Sequence, residues 1–154
     1  MTMNRRALLA AAAIGPAAAA LSAQAAAPPQ APALRATGDL GVVVERAQGA
    51  LTLVERSGRS IIGRVTGLGD LSHASAVFSR DERFVYVFGR DGGLTKVDLL
   101  TQAVAGRVVQ AGNSIGGANS DDGRLVAAAN YDPGGVRVFD AETLEMVADI
   151  PSTY

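Results

Sequence analysis

Short runs rich in Val, Leu, Ile and Phe follow one another from Leu40 onward, separated by glycine and aspartate turns. Runs of this length and composition predict β-strands rather than helices. The predicted strands of the middle part are 73–78, 84–89, 94–99 and 104–109. Those of the last part are 115–119, 124–130, 136–139 and 145–150. The first part, 40–65, shows three such runs and no candidate for a fourth.

The strand pattern is a repeat. Segment 79–85 resembles 120–126 at an offset of 41 residues, and 63–65 resembles 106–108 at an offset of 43. A period of this length with four short strands per unit is typical of a β-propeller blade. The sequence therefore predicts an all-β fold of β-propeller blades, each of four antiparallel strands. Glycine pairs predict hairpin turns at 91–93 and 133–135, because such turns need a positive φ.

Three blades do not make a closed ring, since propellers close with about four to eight. We therefore expect the chain to be a piece of a longer protein. We also expect the fourth strand of the first blade to come from elsewhere in that protein. The alternative is an open array of three blades that assembles with copies of itself, because its unpaired edges invite association.

The first 36 residues have a different composition. Arg5 and Arg6 precede an apolar stretch, 7–22, and Ala-Gln-Ala at 23–25 fits a signal cleavage site. Residues 1–27 therefore predict an export signal and a periplasmic location. The paired arginines favour the twin-arginine route over the Sec route, and a retained membrane anchor is the alternative to cleavage. Residues 28–36 form a Pro/Ala linker, which leaves 37–154 for the propeller blades.

The composition of the chain excludes several classes of function. The chain has no Cys, one His and a formal net charge of −1. Disulfide frameworks, thiolate metal sites and Cys-attached c-type haem are excluded for this chain. The near-zero charge gives no electrostatic basis for binding nucleic acid.

His73 is the first candidate site residue, at the predicted start of the inner strand of the second blade. Its neighbours Ser72, Ala74 and Ser75 are small, which leaves room for a large flat ligand. A neutral imidazole is a good axial ligand for haem iron. The alternative is a structural histidine that hydrogen-bonds a neighbouring turn.

Two further candidates are Arg90 and Asn113. Arg90 lies in a Gly-Arg-Asp-Gly turn, where it faces ligand carboxylates or pairs with Asp91. Asn113 begins the glycine-rich stretch 113–117 at the inner strand of the third blade. Glycines there allow a flat ligand to approach the backbone, or alternatively allow tight packing near the propeller axis.

At these residues the chain resembles the cytochrome cd1 nitrite reductase propeller family, and within it the NirF-type haem d1 biosynthesis branch. The resemblance is carried by 69–100, 110–151 and, more weakly, 37–59. Its most specific part is His73 followed by Gly-Arg-Asp-Gly at 89–92 and Val-Asp-Leu at 97–99. The resemblance implies an eight-bladed propeller that binds haem d1, or a precursor, over the mouth of its channel. It also implies His73 as the axial ligand of the iron.

Departures from the reductases shape the expected function. Ala76 stands where the reductases place an Arg, and the chain has no Cys to attach a haem c that delivers electrons. We therefore expect a protein that binds or processes the tetrapyrrole in haem d1 assembly, together with other assembly proteins and the nitrite reductase. Whether the step is redox chemistry, side-chain modification or carrier transfer stays open. The alternatives are a nitrite reductase d1 domain, a non-catalytic binding propeller, or an inactive fragment.

Overall fold

The computed structural model describes residues 38–152, so the predicted export signal and the Pro/Ala linker lie outside the described residues. The described part contains eleven β-strands and one short 3-10 turn, Arg46–Gln48. The first three strands, β1 to β3, are Leu40–Glu45, Ala50–Glu55 and Ser60–Val65. Strands β4 to β7 are Ser75–Phe78, Phe84–Phe88, Gly93–Asp98 and Ala103–Val109. Strands β8 to β11 are Asn113–Asn119, Leu125–Asp132, Val136–Asp140 and Met146–Ile150.

The strands form three separate sheets in chain order, β1-β2-β3, β4-β5-β6-β7 and β8-β9-β10-β11. Every neighbouring pair is antiparallel. We call these sheets blades 1, 2 and 3. The predicted all-β fold of four-stranded antiparallel blades is confirmed. The first blade has three strands in the described part, as its sequence pattern predicts.

The repeat in the sequence produces the same turn, with the same hydrogen bonds, in blades 2 and 3. In blade 2, Asp81 Oδ1 accepts from the Ser79 hydroxyl at 2.5 Å and from the backbone N–H of Arg83 at 3.2 Å. In blade 3, Asp122 Oδ1 accepts from Ser120 at 2.6 Å and from the N–H of Arg124 at 3.0 Å. Each aspartate thus builds the same turn between the first two strands of its blade.

Two hydrophobic clusters lie between the blades. The first joins blades 1 and 2, and its fully buried members include Leu51, Leu53, Val87 and Val97. The second joins blades 2 and 3 around Phe88 and Phe139. Alternate residues of β5 serve the two clusters, since Val85 and Val87 face one and Tyr86 and Phe88 face the other. Within residues 38–152, no helix is long and apolar enough to cross a membrane.

Candidate functional site

The loops on one side of the blades are linked by backbone hydrogen bonds. The N–H of Leu68 donates to Gly49 O at 3.0 Å, and that of Arg90 donates to Asp70 O at 2.8 Å. Further along, the N–H of Gln110 donates to Gly92 O at 2.9 Å, and that of Gly112 donates to Asp132 O at 3.0 Å. We call this side the histidine face and define it by the loops 46–49, 66–74, 89–92, 110–112 and 133–135. It carries His73 and Arg90, and Asn113 lies where the loop 110–112 enters β8.

His73 lies in a turn that precedes β4 and is exposed. The prediction that the inner strand begins at residue 73 is wrong by two residues, because β4 begins at Ser75. Asp70 explains why the strand begins later. Its Oδ1 accepts a hydrogen bond from the backbone N–H of Ser72 at 2.9 Å, which closes a turn rather than extending a strand. The His73 ring has no hydrogen-bond or ion-pair partner among residues 38–152. Its imidazole is therefore available to a ligand.

Arg90 is exposed on the hairpin turn beside the His73 loop. It does not pair with Asp91, because Asp91 Oδ2 accepts instead from Arg107 Nη2 at 2.5 Å. Hydrogen bonds from Ser72 are the main reason that the pKa of Asp70 lies below its usual value, and the charge of Arg90 adds to this effect. The Arg90 guanidinium therefore lies near the His73 loop, and none of its donors is used by a residue between 38 and 152.

Arg46 is a site residue that the sequence analysis missed. It lies on the 3-10 turn between β1 and β2, and its Nη1 donates to the carbonyl oxygen of Ser72 at 3.4 Å. Seven of the ten arginines in residues 38–152 form ion pairs with carboxylates. The other three are Arg46, Arg59 and Arg90, and two of these flank the His73 loop. The repeat of the blades could have identified Arg46 from the sequence, because the loop that carries Arg46 is equivalent to the loop that carries Arg90.

Asn113 stands at the start of β8, opposite Asp132. By the 41-residue repeat, His73 of blade 2 corresponds to Ser114, the residue after Asn113, because Ser75 pairs with Phe88 as Gly116 pairs with Ala129. Ser75 Oγ donates to Ile115 O at 3.1 Å, which links the first strands of the two blades close to Asn113. The Asn113 side chain is half-buried, and its buried Oδ1 has no hydrogen-bond partner within residues 38–152. An unpaired buried carbonyl oxygen is costly, so this atom is a ready acceptor for a ligand donor.

The neighbouring glycines have a packing role. A Cβ on Gly117 would lie 2.0 Å from Ala127 O and 2.3 Å from the Phe88 ring. Gly117 thus lets β8 of blade 3 pack closely against Phe88 of blade 2, which is the packing alternative stated above. Across residues 38–152, no group of three or more His, Cys, Asp or Glu side chains is placed to hold a metal ion.

The fold and this face define a class, a β-propeller protein with an exposed histidine and unpaired arginines on its loops. The chain belongs to the Cytochrome D1 heme domain family, whose model matches residues 35–154. It is 70% identical over 120 residues to Protein NirF of Stutzerimonas stutzeri, covering 78% of this chain and 31% of that protein. It is 63% identical over 124 residues to Protein NirF of Pseudomonas aeruginosa, covering 80% and 32%. The chain thus spans about a third of the length of the curated relatives it matches.

A solved structure supports the same family. The dihydro-heme d1 dehydrogenase NirN in complex with DHE superposes with a TM-score of 0.69 at 35% sequence identity. The match covers 75% of this chain and 25% of that one.

Proposed function

We propose that this chain is part of a periplasmic haem d1 biosynthesis protein whose histidine face binds haem d1 or one of its precursors. The observation that carries the proposal is the 70% identity to a NirF protein over 120 residues, which are 78% of this chain. The unpaired cations of the histidine face support it, because seven other arginines of the same region are neutralised by carboxylates.

Four side chains fit such a ligand. His73 offers an imidazole without a hydrogen-bond partner to the iron. Arg46 and Arg90, which lie on either side of the His73 loop, would donate charge-assisted hydrogen bonds to the carboxylates of the tetrapyrrole. Asn113 Oδ1 accepts from a donor at the ligand edge. A bound tetrapyrrole would supply the iron and its chemistry, and the protein would supply the His73 imidazole, position and charge.

The test uses the full-length protein and purified haem d1, followed by visible spectroscopy. We expect His73→Ala to change the Soret band of the bound ligand, because the imidazole that would hold the iron is removed. Arg46→Gln and Arg90→Gln should each weaken binding by about tenfold while keeping the spectrum of the bound form. Arg59→Gln is the matched control, since Arg59 is also exposed and unpaired but lies on the turn between β2 and β3, outside the histidine face. An unchanged Soret band in His73→Ala would falsify the role of His73.

A second candidate activity is oxidation of a dihydro-haem d1. It is favoured by the similarity to the dehydrogenase NirN, although at 35% identity rather than 70%. The full-length protein mixed with dihydro-haem d1 and an artificial two-electron acceptor distinguishes the two. Catalytic formation of the oxidised spectrum indicates a dehydrogenase, and stable binding without turnover indicates a binding or carrier role.

We also propose export to the periplasm through residues 1–27. Support comes from the paired arginines, the apolar stretch and the cleavage-site pattern. A fusion of residues 1–36 to a reporter should be found in the periplasmic fraction, and changing Arg5 and Arg6 together to Lys should keep it inside the cell. Unchanged export of the double variant indicates the Sec route. Other haem d1 assembly proteins and the nitrite reductase are the proposed partners, testable by affinity capture from periplasmic extracts.

A further inference from the structure

A concave site lies on the side of the blades opposite the histidine face. It is a cleft of about 550 Å³ between blades 2 and 3, lined by residues 79–81, 83–84, 122–124 and 140–142 together with Tyr86 and Lys96. A volume of this size is within the range of small-molecule sites. None of the candidate residues on the histidine face lines it, so it needs an explanation of its own.

Lys96, the only lysine of the chain, lies in the wall of this cleft and is only 6% exposed. Its Nζ donates to Glu142 O at 3.2 Å and lies 4.2 Å from the centre of the Phe84 ring. Within residues 38–152 its ammonium forms no ion pair with a carboxylate. An ammonium has three donors, and buried charges are normally paired. Beyond the bond to Glu142 O and the contact with the Phe84 ring, the ammonium of Lys96 has no further hydrogen-bond partner within residues 38–152.

The carboxylates around the cleft are already occupied by the turns. Asp81 and Asp122 each accept from a serine hydroxyl and a backbone N–H. Asp140 Oδ1 accepts the N–H groups of Glu142 and Thr143, both at 2.9 Å. The charge of Lys96 contributes to a lowered pKa of Asp140, but hydrogen bonds from the turn are the larger cause. Asp81, Asp122 and Asp140 thus serve the backbone rather than the lysine, while Glu142, which also lines the cleft, accepts from Lys96 through its backbone oxygen.

The arginines of the cleft keep spare donors as well. Arg83 uses Nε and Nη2 on Asp98, which leaves Nη1. Arg124 uses Nε on Asp122, which leaves both terminal nitrogens. Phe84 adds an apolar surface next to the cations, since its ring contacts both Lys96 and Arg83. The cleft therefore offers N–H donors and a ring face, a combination that suits an anion with a carbon skeleton.

We propose that this cleft binds a small organic carboxylate, with its carboxylate on Lys96 Nζ and the free nitrogens of Arg83 and Arg124, and its carbon atoms on Phe84. The site is independent of the tetrapyrrole function proposed above. A ligand carboxylate here supplies the missing partner of a buried ammonium, which is the strongest reason for binding.

The test is calorimetric titration of the full-length protein with citrate, at an ionic strength held constant with NaCl. We expect saturable binding by the wild-type protein and by Arg59→Gln, the control with an unpaired arginine outside the cleft. Lys96→Met should weaken the affinity at least about tenfold, because it removes the charge and keeps the chain length. Arg124→Gln, whose side chain is 82% exposed and whose removal does not disturb packing, should weaken it about threefold.

Three results would overturn the proposal. The first is the absence of saturable citrate binding by the wild-type protein. The second is an affinity of Arg124→Gln equal to that of the wild-type protein, a result that does not depend on Lys96→Met folding. The third comes from a different anion. Inorganic phosphate serves as a second probe, and binding of phosphate as tight as that of citrate would overturn the assignment to an organic carboxylate.

Discussion

The two interfaces between neighbouring blades differ in the side chains that form them. The interface of blades 1 and 2 is made of buried leucines and valines, and no buried side-chain hydrogen bond crosses it in the part of the chain that the structure describes. The interface of blades 2 and 3 packs Phe88 and Phe139 against small residues such as Ala128 and Gly117. Hydrocarbon contact is not directional, whereas ring packing against glycine tolerates little movement.

Hydrogen bonds strengthen this contrast. Across the second interface the Tyr86 hydroxyl donates to Ala141 O at 2.8 Å, and the buried amides of Gln110 and Asn130 exchange two hydrogen bonds of 2.8 and 3.0 Å. Directional contacts of this kind fix one arrangement of neighbouring elements. The second interface also joins the strands that follow His73 and contain Asn113. We infer that both interfaces stabilise the fold and that the second, through its directional contacts, also fixes the positions of the strands next to His73 and Asn113.

The largest expected effect is that of Phe88→Ala, which empties the centre of the second interface. It should lower the free energy of unfolding by about 3–5 kcal/mol, because a fully buried ring is lost and a cavity remains. Val87→Ala, the preceding residue facing the first interface, should cost about 2 kcal/mol. Urea unfolding of the full-length variants measures both. Equal costs would contradict the view that the rings dominate the second interface.

Gly117→Ala comes next. The added methyl group would overlap Ala127 O and the Phe88 ring, so we expect a loss of about 3 kcal/mol through overpacking. Gly116→Ala is the matched control, since its nearest contact is the Ser75 hydroxyl at 3.3 Å and its cost should stay within about 1 kcal/mol. Thermal unfolding of the pair measures the difference. A Gly117→Ala variant as stable as Gly116→Ala would show that the second interface adapts as freely as the first.

Tyr86→Phe has the smallest effect, about 1 kcal/mol at neutral pH, through the lost hydrogen bond to Ala141. Burial raises the pKa of Tyr86 to about 12. An unfolded tyrosine titrates near pH 10, so the stabilisation by the neutral phenol is complete below about pH 10 and is lost as the pH rises towards 12. The difference in unfolding free energy between wild type and Tyr86→Phe should therefore shrink over this range. If the difference in unfolding free energy did not change with pH, the phenol of Tyr86 would not be buried at the interface.

Local pattern was enough to predict much of the fold. Alternation of apolar residues and the repeated Ser-x-Asp turns placed the strands within about two residues of their observed ends, because each turn is built from side chains close in sequence. The same reasoning misplaced the start of the strand at His73. A single hydrogen bond from Ser72 to Asp70 there outweighs the strand pattern.

The candidate site was only partly predictable. His73, Arg90 and Asn113 were chosen one by one from local motifs, and the sequence left open whether Arg90 pairs with Asp91. Arg46 was missed, because its turn resembles that of Arg90 in position but not in residues. Its role depends on a contact with Ser72, 26 residues further along the chain.

The sequence by itself determined the strands, the turns and the blade repeat, since these depend on neighbours within a few residues. Only the tertiary structure decided which charges are neutralised. The pairing of Asp91 with Arg107, and the unpaired states of Arg90, Arg46 and Lys96, depend on distances between separate strands and loops. Electrostatic partners are set by proximity in space, and proximity between elements is fixed only when the blades pack.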